Sequence, residues 1–362
     1  MHIVKKMDLS IVIPTYNEKD NIKNIVQKVL SEFKKNKIKG ELIIVDDNSP
    51  DGTGKILDNL KKSEKRLIVI KRKAKLGLSS AVLDGWKVAR GNVLGVMDAD
   101  LSHPPEKIIE LYNPLKKGDA NIAIGSRYIP GGKIIGWGIK RKMMSRVATL
   151  LSRVFTEVRD PMSGFFLVKK ECIKNAGLNP RGFKILLEVL IKCKSLKIKE
   201  VPITFTNRIR GKSKAGIGEV LSLLKNLAGY LKYKKTVINE FVKFGIVGTT
   251  GAIINLSILY LLTEKLGLYY ILSAIISFLV AMSSNFFLNK IWTFKEKIKI
   301  QIKKKYLKFG VVSTFSLLVN LTFLYIFTEV FGIYYLISQA IAIAIAWLLN
   351  FIGNKIWTFQ NN

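Results

Sequence analysis

Residues 241–294 and 306–359 are two copies of one segment. FVKFGIVGTTGAIINLSILYLLTEKLGLYYILSAIISFLVAMSSNFFLNKIWTF aligns without a gap on YLKFGVVSTFSLLVNLTFLYIFTEVFGIYYLISQAIAIAIAWLLNFIGNKIWTF, every position displaced by 65 residues, and roughly half of the positions are identical. Each copy holds two apolar runs, near 242–262 and 270–289, then 307–327 and 335–353. Each run is close to the ~20 residues that cross a hydrocarbon core as a helix. The last third of the chain is therefore expected to be two tandem helical hairpins in a bilayer.

Charge sets the expected orientation. The links TEKLGLYY and TEVFGIYY are short and nearly uncharged, whereas the loop between the copies carries seven Lys between 295 and 308. By the excess of cations on the cytoplasmic side, that loop faces the cytoplasm and the two short links face out. Whatever precedes residue 241 then also faces the cytoplasm. Tyr269, Tyr270, Tyr334 and Tyr335, with Trp292 and Trp357, fall where interfacial aromatic belts are expected. Asn255/Asn320 and Asn285/Asn350 recur within the spans and are expected to bond between helices, with a substrate path as the alternative.

The whole chain has 59 Lys plus Arg against 26 Asp plus Glu, a formal charge of +33. Nucleic acid is not the expected partner, because no helix-turn-helix, zinc-finger or RNA-binding signature accompanies the charge. The cations gather instead beside the apolar runs, in NRIRGKSKAG, YLKYKK and KEKIKIQIKKKYLK, where anionic headgroups would lie. Cys172 and Cys193 follow no metal or disulfide spacing. The first residues, MHIVKKMDLSIVIP, hold too short an apolar run for a secretory signal.

Up to about residue 235, short apolar runs alternate with charged, helix-favouring stretches, the pattern of a mostly parallel sheet covered on both faces. Strands are expected at LSIVIPTYNE, with Pro14 ending its pairing, and at ELIIVDD, RLIVIKR, NVLGVMDAD and ANIAIGSRY. Ligands of such sheets lie beyond the carboxyl ends of the strands. There the chain places Tyr16 and Glu18, Asp46 and Asp47, Asp98 and Asp100, and Arg127. One strand-end acid is commonplace, but four such ends in one domain indicate a site. Neither GxxxxGK[ST] nor GxGxxG occurs, so a phosphate cradle of those kinds is not indicated. Asp98 and Asp100 suit a hard divalent ion, Mg²⁺ or Mn²⁺, that takes one or two carboxylates together with substrate phosphates.

In order, IVIPTYNE, VDDNSPDGT, KLGLSSAVLDGWKVARGNVLGVMDADLSHPPE, IGSRY, DPMSGFF and RGKSK resemble glycosyltransferase family 2, and specifically its dolichol-phosphate mannose synthases. The resemblance covers nearly all of 8–215, and the repeated hairpins are similar to the GtrA-like four-helix membrane domain. It implies a GT-A fold (Rossmann-like α/β) over 1–215, an amphipathic interface helix or linker over 216–238 with Leu221, Leu224, Leu227 and Leu231 on one side, and a membrane domain over 239–362.

It also implies inverting transfer of mannose from GDP-mannose to dolichyl or another polyprenyl phosphate. Pro14, Tyr16, Glu18, Val45 and Asp47 would then line the nucleoside pocket, and Ala99 would let the nucleotide approach. Asp98 and Asp100 would hold the cation, with Ser102 standing where some relatives carry Gln. Arg127, Arg141 and Ser145 would meet the donor and acceptor phosphates, and Arg210 would close over the site. Arg141 and Ser145 also fit a basic amphipathic helix, IKRKMMSRVATLLSRVF, lying on a membrane surface. The absence of QxxRW favours single-sugar transfer over polymer synthesis. Two rivals remain at this stage: a UDP-glucose-dependent enzyme of the same fold, and a lipid translocator or scaffold carrying an inactive transferase domain.

Overall fold

The computed structural model describes residues 7–179, 185–193, 196–207, 223, 226–297 and 300–360. The chain divides into two compact units between Tyr233 and Lys234.

The first unit is built on a seven-stranded sheet in the order β3-β2-β1-β4-β7-β5-β8. Its strands are β1 (Met7–Thr15), β2 (Gly40–Asp46), β3 (Leu67–Lys71), β4 (Gly91–Val96), β5 (Ile122–Ser126), β7 (Phe166–Lys169) and β8 (Ile198–Pro202). β3, β2, β1 and β4 are mutually parallel, and β7 runs antiparallel between β4 and β5. A separate parallel pair joins β6 (Lys133–Ile135) to β9 (Thr204–Thr206).

Alternate residues of the central strands point to opposite faces, and both faces are buried. Leu9, Ile11 and Ile13 pack with Ile22, Ile25, Val26, Val29 and Phe33 of α1 (Ile22–Lys35), which carries its apolar residues at helical spacing. Val12, Ile43 and Val45 pack on the other face with Ala81, Val82 and Trp86 of α3 (Leu78–Val88). The remaining helices of this unit are α2 (Thr53–Ser63), α4 (Ile108–Lys117), α5 (Ile139–Arg153), α6 (Lys170–Ile173) and α7 (Ile185–Lys192).

One expectation changes. Pro14 does not end β1, because Pro14 and Thr15 still pair with Val45 and Asp46 of β2. On the β4 side the strand-to-strand register stops at Val12, so the ladder contact that Pro14 cannot make is one β4 does not offer. The division between the units, after Tyr233, falls inside the segment 216–238 expected as interface helix or linker, and a continuous helix begins at Lys235. Within that segment Leu227 is buried and Leu231 half-buried, while Leu221 and Leu224 lie outside the described residues.

The second unit holds α8 (Lys235–Tyr260), α9 (Tyr270–Leu288), α10 (Ile302–Tyr325) and α11 (Tyr335–Gly353). Each ends in a π-type turn, at Leu261–Lys265, Asn289–Thr293, Ile326–Val330 and Asn354–Thr358. All four helices are long and apolar enough to cross a membrane. The duplication becomes a pseudo-twofold core. Phe286 packs on Phe309 and Phe359 at 5.7 and 6.0 Å between ring centroids. The equivalents 65 residues away, Phe351, Phe244 and Phe294, pack likewise at 5.6 and 6.4 Å. Phe294 and Phe359 stack at 4.6 Å and join the two sets. Asn285 and Asn350 do not make the interhelical bonds expected of them. Asn285 lies against Gly251, where a Cβ would fall 2.3 Å from its amide, and Asn350 accepts from Asn354 at 2.6 Å one turn along its own segment.

One charge breaks the symmetry. Lys355 pairs with Glu240, but the residue 65 positions after Glu240 is Lys305, so the equivalent pair would set Lys290 against Lys305. Glu296 resolves the clash by accepting from Lys290 at 2.8 Å and from Lys305 at 2.5 Å, all three side chains being buried. Removing one member of a buried ionic group costs on the order of 3–5 kcal/mol. Glu296→Gln should therefore lower the melting temperature in detergent markedly, and Lys305→Glu added to it should recover most of the loss by recreating the arrangement of the other copy. A double variant no more stable than Glu296→Gln would show that the symmetry argument is mistaken.

Candidate active site

The loops after β1, β2 and β4 meet at the carboxyl edge of the sheet, and each turns on a left-handed residue: Asn17 (φ 60°), Asn48 (φ 59°) and Leu101 (φ 60°). Asn tolerates this conformation through local hydrogen bonds, whereas Leu gives up roughly 1–2 kcal/mol to adopt it. The strained residue directly follows Asp100.

The first two loops are joined by backbone donors. Asn17 N–H donates to Ser49 Oγ (2.9 Å), Glu18 N–H to Thr53 Oγ1 (3.1 Å) and Lys19 N–H to Asp51 Oδ2 (3.1 Å). Burial raises the Asp51 pKa, but bonds from Thr53 and Lys19 outweigh it and leave the carboxyl below its ordinary range. Glu18 accepts from Asn21 at 2.7 Å and Asp46 from Ser49 at 2.5 Å. Asp47 accepts Gly77 N–H on Oδ2 (2.9 Å) and its Oδ1 forms an ion pair with Arg72 (2.8 Å), which draws in the loop after β3; Lys75 Nζ lies 4.0 Å from the Tyr16 ring centroid. Tyr16, Glu18 and Asp47 thus sit on these joined loops, Asp47 buried, whereas the Val45 side chain is fully buried in the core beside α3.

After β4, Asp98 keeps about a third of its side chain exposed, whereas Asp100 is buried and accepts Ser102 N–H at 3.1 Å across the Leu101 turn. The Asp98 carboxylate rests on Gly164, where a Cβ would fall 2.9 Å from Oδ2. Any larger residue at 164 would displace it. Asp98 N–H donates to His103 Nδ1 at 3.4 Å, and the buried imidazole is held against the rings of Phe165 and Phe205. Ala99 is buried in the core. Ser102 Oγ is buried and has no hydrogen-bond partner among the described residues. Two adjacent carboxylates and an uncommitted hydroxyl fit a hard divalent cation. No cluster of three or more His, Cys, Asp or Glu stands ready as a cage among the described residues, so an ion here would complete its shell with water and substrate phosphates.

Arg127 is placed differently from the expectation of an open phosphate binder. Its Nε and Nη2 donate to Asp160 at 2.8 Å each, its backbone N–H adds a third bond at 2.9 Å, and both side chains are buried. Burial lowers the Arg127 pKa, but the bonds and charge of Asp160 outweigh it and hold the guanidinium more firmly protonated than usual. Glu200 in turn accepts the backbone N–H groups of Arg159 and Asp160. Ser145 Oγ shares a hydrogen bond with Tyr128 Oη (2.8 Å). Arg141 lies 4.1 Å from the Trp137 ring centroid and donates to Asn207 at 3.0 Å. On the same helix Ile139, Met143, Val147 and Leu150 are exposed, so the amphipathic reading of α5 also holds. Arg210 lies outside the described residues. Asp160, Gly164 and Glu200 were not singled out from sequence, although DPMSGFF contains the first two.

A mostly parallel sheet with paired acids beyond its fourth strand is the architecture of a GT-A-like transferase domain, here followed by four apolar helices. The profile of Glycosyl transferase family 2 matches residues 10–177, and that of the GtrA/DPMS transmembrane domain matches 243–359. The chain belongs to the family 2 glycosyltransferases that carry this transmembrane domain, and it is an enzyme of that class. It is 38% identical to the dolichol-phosphate mannosyltransferase of Pyrococcus furiosus over 96% of this chain and 98% of that one. It is 37% identical to the dolichol-phosphate mannosyltransferase of Saccharomyces cerevisiae over 63% of this chain and 88% of the other. Among solved structures it is similar to glucosyl-3-phosphoglycerate synthase from Mycobacterium tuberculosis, with a TM-score of 0.47 and 18% identity, covering 63% of this chain and 80% of that one.

Proposed function

We propose that this enzyme transfers mannose from GDP-mannose to dolichyl or another polyprenyl phosphate, with inversion, at the cytoplasmic face of the membrane. The observation that carries the reading is the end-to-end match to a dolichol-phosphate mannosyltransferase, which spans both units rather than the transferase domain alone. The paired carboxylates of Asp98 and Asp100 support an active site over a degenerate one.

A divalent cation held by Asp98 and Asp100, with Ser102 beside them, would supply positive charge where the diphosphate leaves. The loops carrying Tyr16, Glu18 and Asp47 receive the nucleoside; Arg141 and Arg210, with the Ser145 hydroxyl, address phosphate oxygens, a task suited to the planar guanidinium, and Arg127, its Nε and Nη2 held by Asp160, adds its charge beside them. A phosphate monoester has a second pKa of about 6 and is already anionic at neutral pH. The acceptor oxygen therefore needs alignment against the anomeric carbon more than it needs a general base. The cation-rich loop between the two repeats supports a cytoplasmic catalytic domain.

Membranes containing the protein, given a polyprenyl phosphate, should move radiolabelled mannose from GDP-mannose into lipid, and a chelator should stop it. Label from UDP-glucose alone would keep the reaction type and replace the donor. No label from either would favour the scaffold alternative.

A further inference from the structure

Trp137 stands in the bend between β6 and α5, 9% exposed, and no role in transfer attaches to it from the family motifs. One face of its indole carries the Arg141 guanidinium at 4.1 Å. Its edge meets Phe205 at 5.3 Å in a T-shaped contact, and the Arg127 guanidinium lies 5.6 Å from the ring. Its Nε1 is buried without a hydrogen-bond partner among the described residues, so no hydrogen bond accounts for its orientation. The small β6–β9 sheet sets the opposing wall. Asn207 N–H donates to Ile135 O at 2.9 Å, and Gly136, at φ 79°, lets the chain pass where a Cβ would fall 2.8 Å from Asn207 Cβ. Asn207 then accepts from Arg141 Nη1 at 3.0 Å.

We propose that Trp137 is a positioning residue for the acceptor phosphate, acting through Arg141, with Asn207 as the second jaw of the clamp. An arginine near the start of a surface helix has many rotamers, and a guanidinium that samples them binds phosphate weakly. The indole face fixes the plane of the fork by cation–π attraction, and Asn207 fixes its rotation about that plane. This assignment rests on the reading of Arg141 as a contact to the acceptor phosphate.

The test uses the full-length enzyme in detergent with GDP-mannose and a polyprenyl phosphate. Trp137→Leu keeps an apolar side chain but has no aromatic face, and should raise the acceptor KM about 10-fold, leaving the donor KM within about 2-fold. Trp137→Phe retains an aromatic face and should stay within about 3-fold of wild type. In an Arg141→Gln background, Trp137→Leu should add nothing, because the two residues act as one unit. Should Trp137→Leu fold poorly, Asn207→Ala at the exposed jaw should give a milder rise with the same dependence on Arg141. A Trp137→Leu effect that persists undiminished in Arg141→Gln, or a Trp137→Phe variant as impaired as Trp137→Leu, would overturn the clamp. An Arg141→Gln enzyme with an unchanged acceptor KM would overturn it by a different route, through the acceptor assignment itself.

Discussion

Asp100→Asn should lower the transfer rate by about 10³-fold, equivalent to roughly 4 kcal/mol of transition-state stabilisation, while the protein melts close to wild type. The amide oxygen can still accept the Ser102 N–H, so the turn through left-handed Leu101 has no reason to open. What disappears is one negative charge at a buried position where, on the proposed reading, a divalent cation is held between protein and diphosphate. The same variant should need far more Mg²⁺ or Mn²⁺ to bind GDP. A variant that keeps more than a tenth of its activity, with an unchanged cation requirement, would move the ion elsewhere.

Asp160→Ala is expected to have the largest effect on stability. It leaves the Arg127 guanidinium buried with two of its donors and its charge unanswered, at a cost of about 3–5 kcal/mol. In a domain of this size that corresponds to a fall in melting temperature of roughly 10 °C. Because a buried ion pair can often be replaced by apolar residues without loss, Arg127→Met combined with Asp160→Leu should regain much of that stability. Transfer by the double variant then separates two roles for Arg127. Activity that stays lost after stability returns supports a phosphate contact, and full activity would assign the arginine to holding the loop alone.

The parts legible in the sequence were those carried by local pattern. The apolar faces of β1, β2 and α1, the four spans, and the acids at strand ends are periodic or adjacent features, and the structure has them at nearly the expected positions. The parts that escaped depend on residues distant in sequence. Nothing near Arg127 announces that Asp160, 33 residues later, will occupy its fork. Nothing around Val45 shows which way its side chain turns, since both faces of a buried strand read as one apolar run. Trp137 looks like an ordinary loop aromatic until Arg141 and Phe205 are placed around it. The antiparallel sense of β7 is invisible because a four-residue apolar run carries no direction.

That reversed strand governs the order in which the molecule can be completed during synthesis. β5 has no pairing with β4, and the two belong to one sheet only because β7 lies between them. Until residues 166–169 emerge, β4 presents an open edge, and β5 is tied to the β1 side through the apolar core that α4 shares with α1 rather than through strand pairing. Since β7 enters backwards, its leading end lies at the carboxyl edge of β4, which delivers Gly164 to Asp98 and Asp160 to Arg127 in the same step that joins β4 to β5. The joining of β4 to β5 and the assembly of the Asp98–Gly164 and Arg127–Asp160 contacts are thus a single event, which precedes the addition of β8 at the far edge of the sheet.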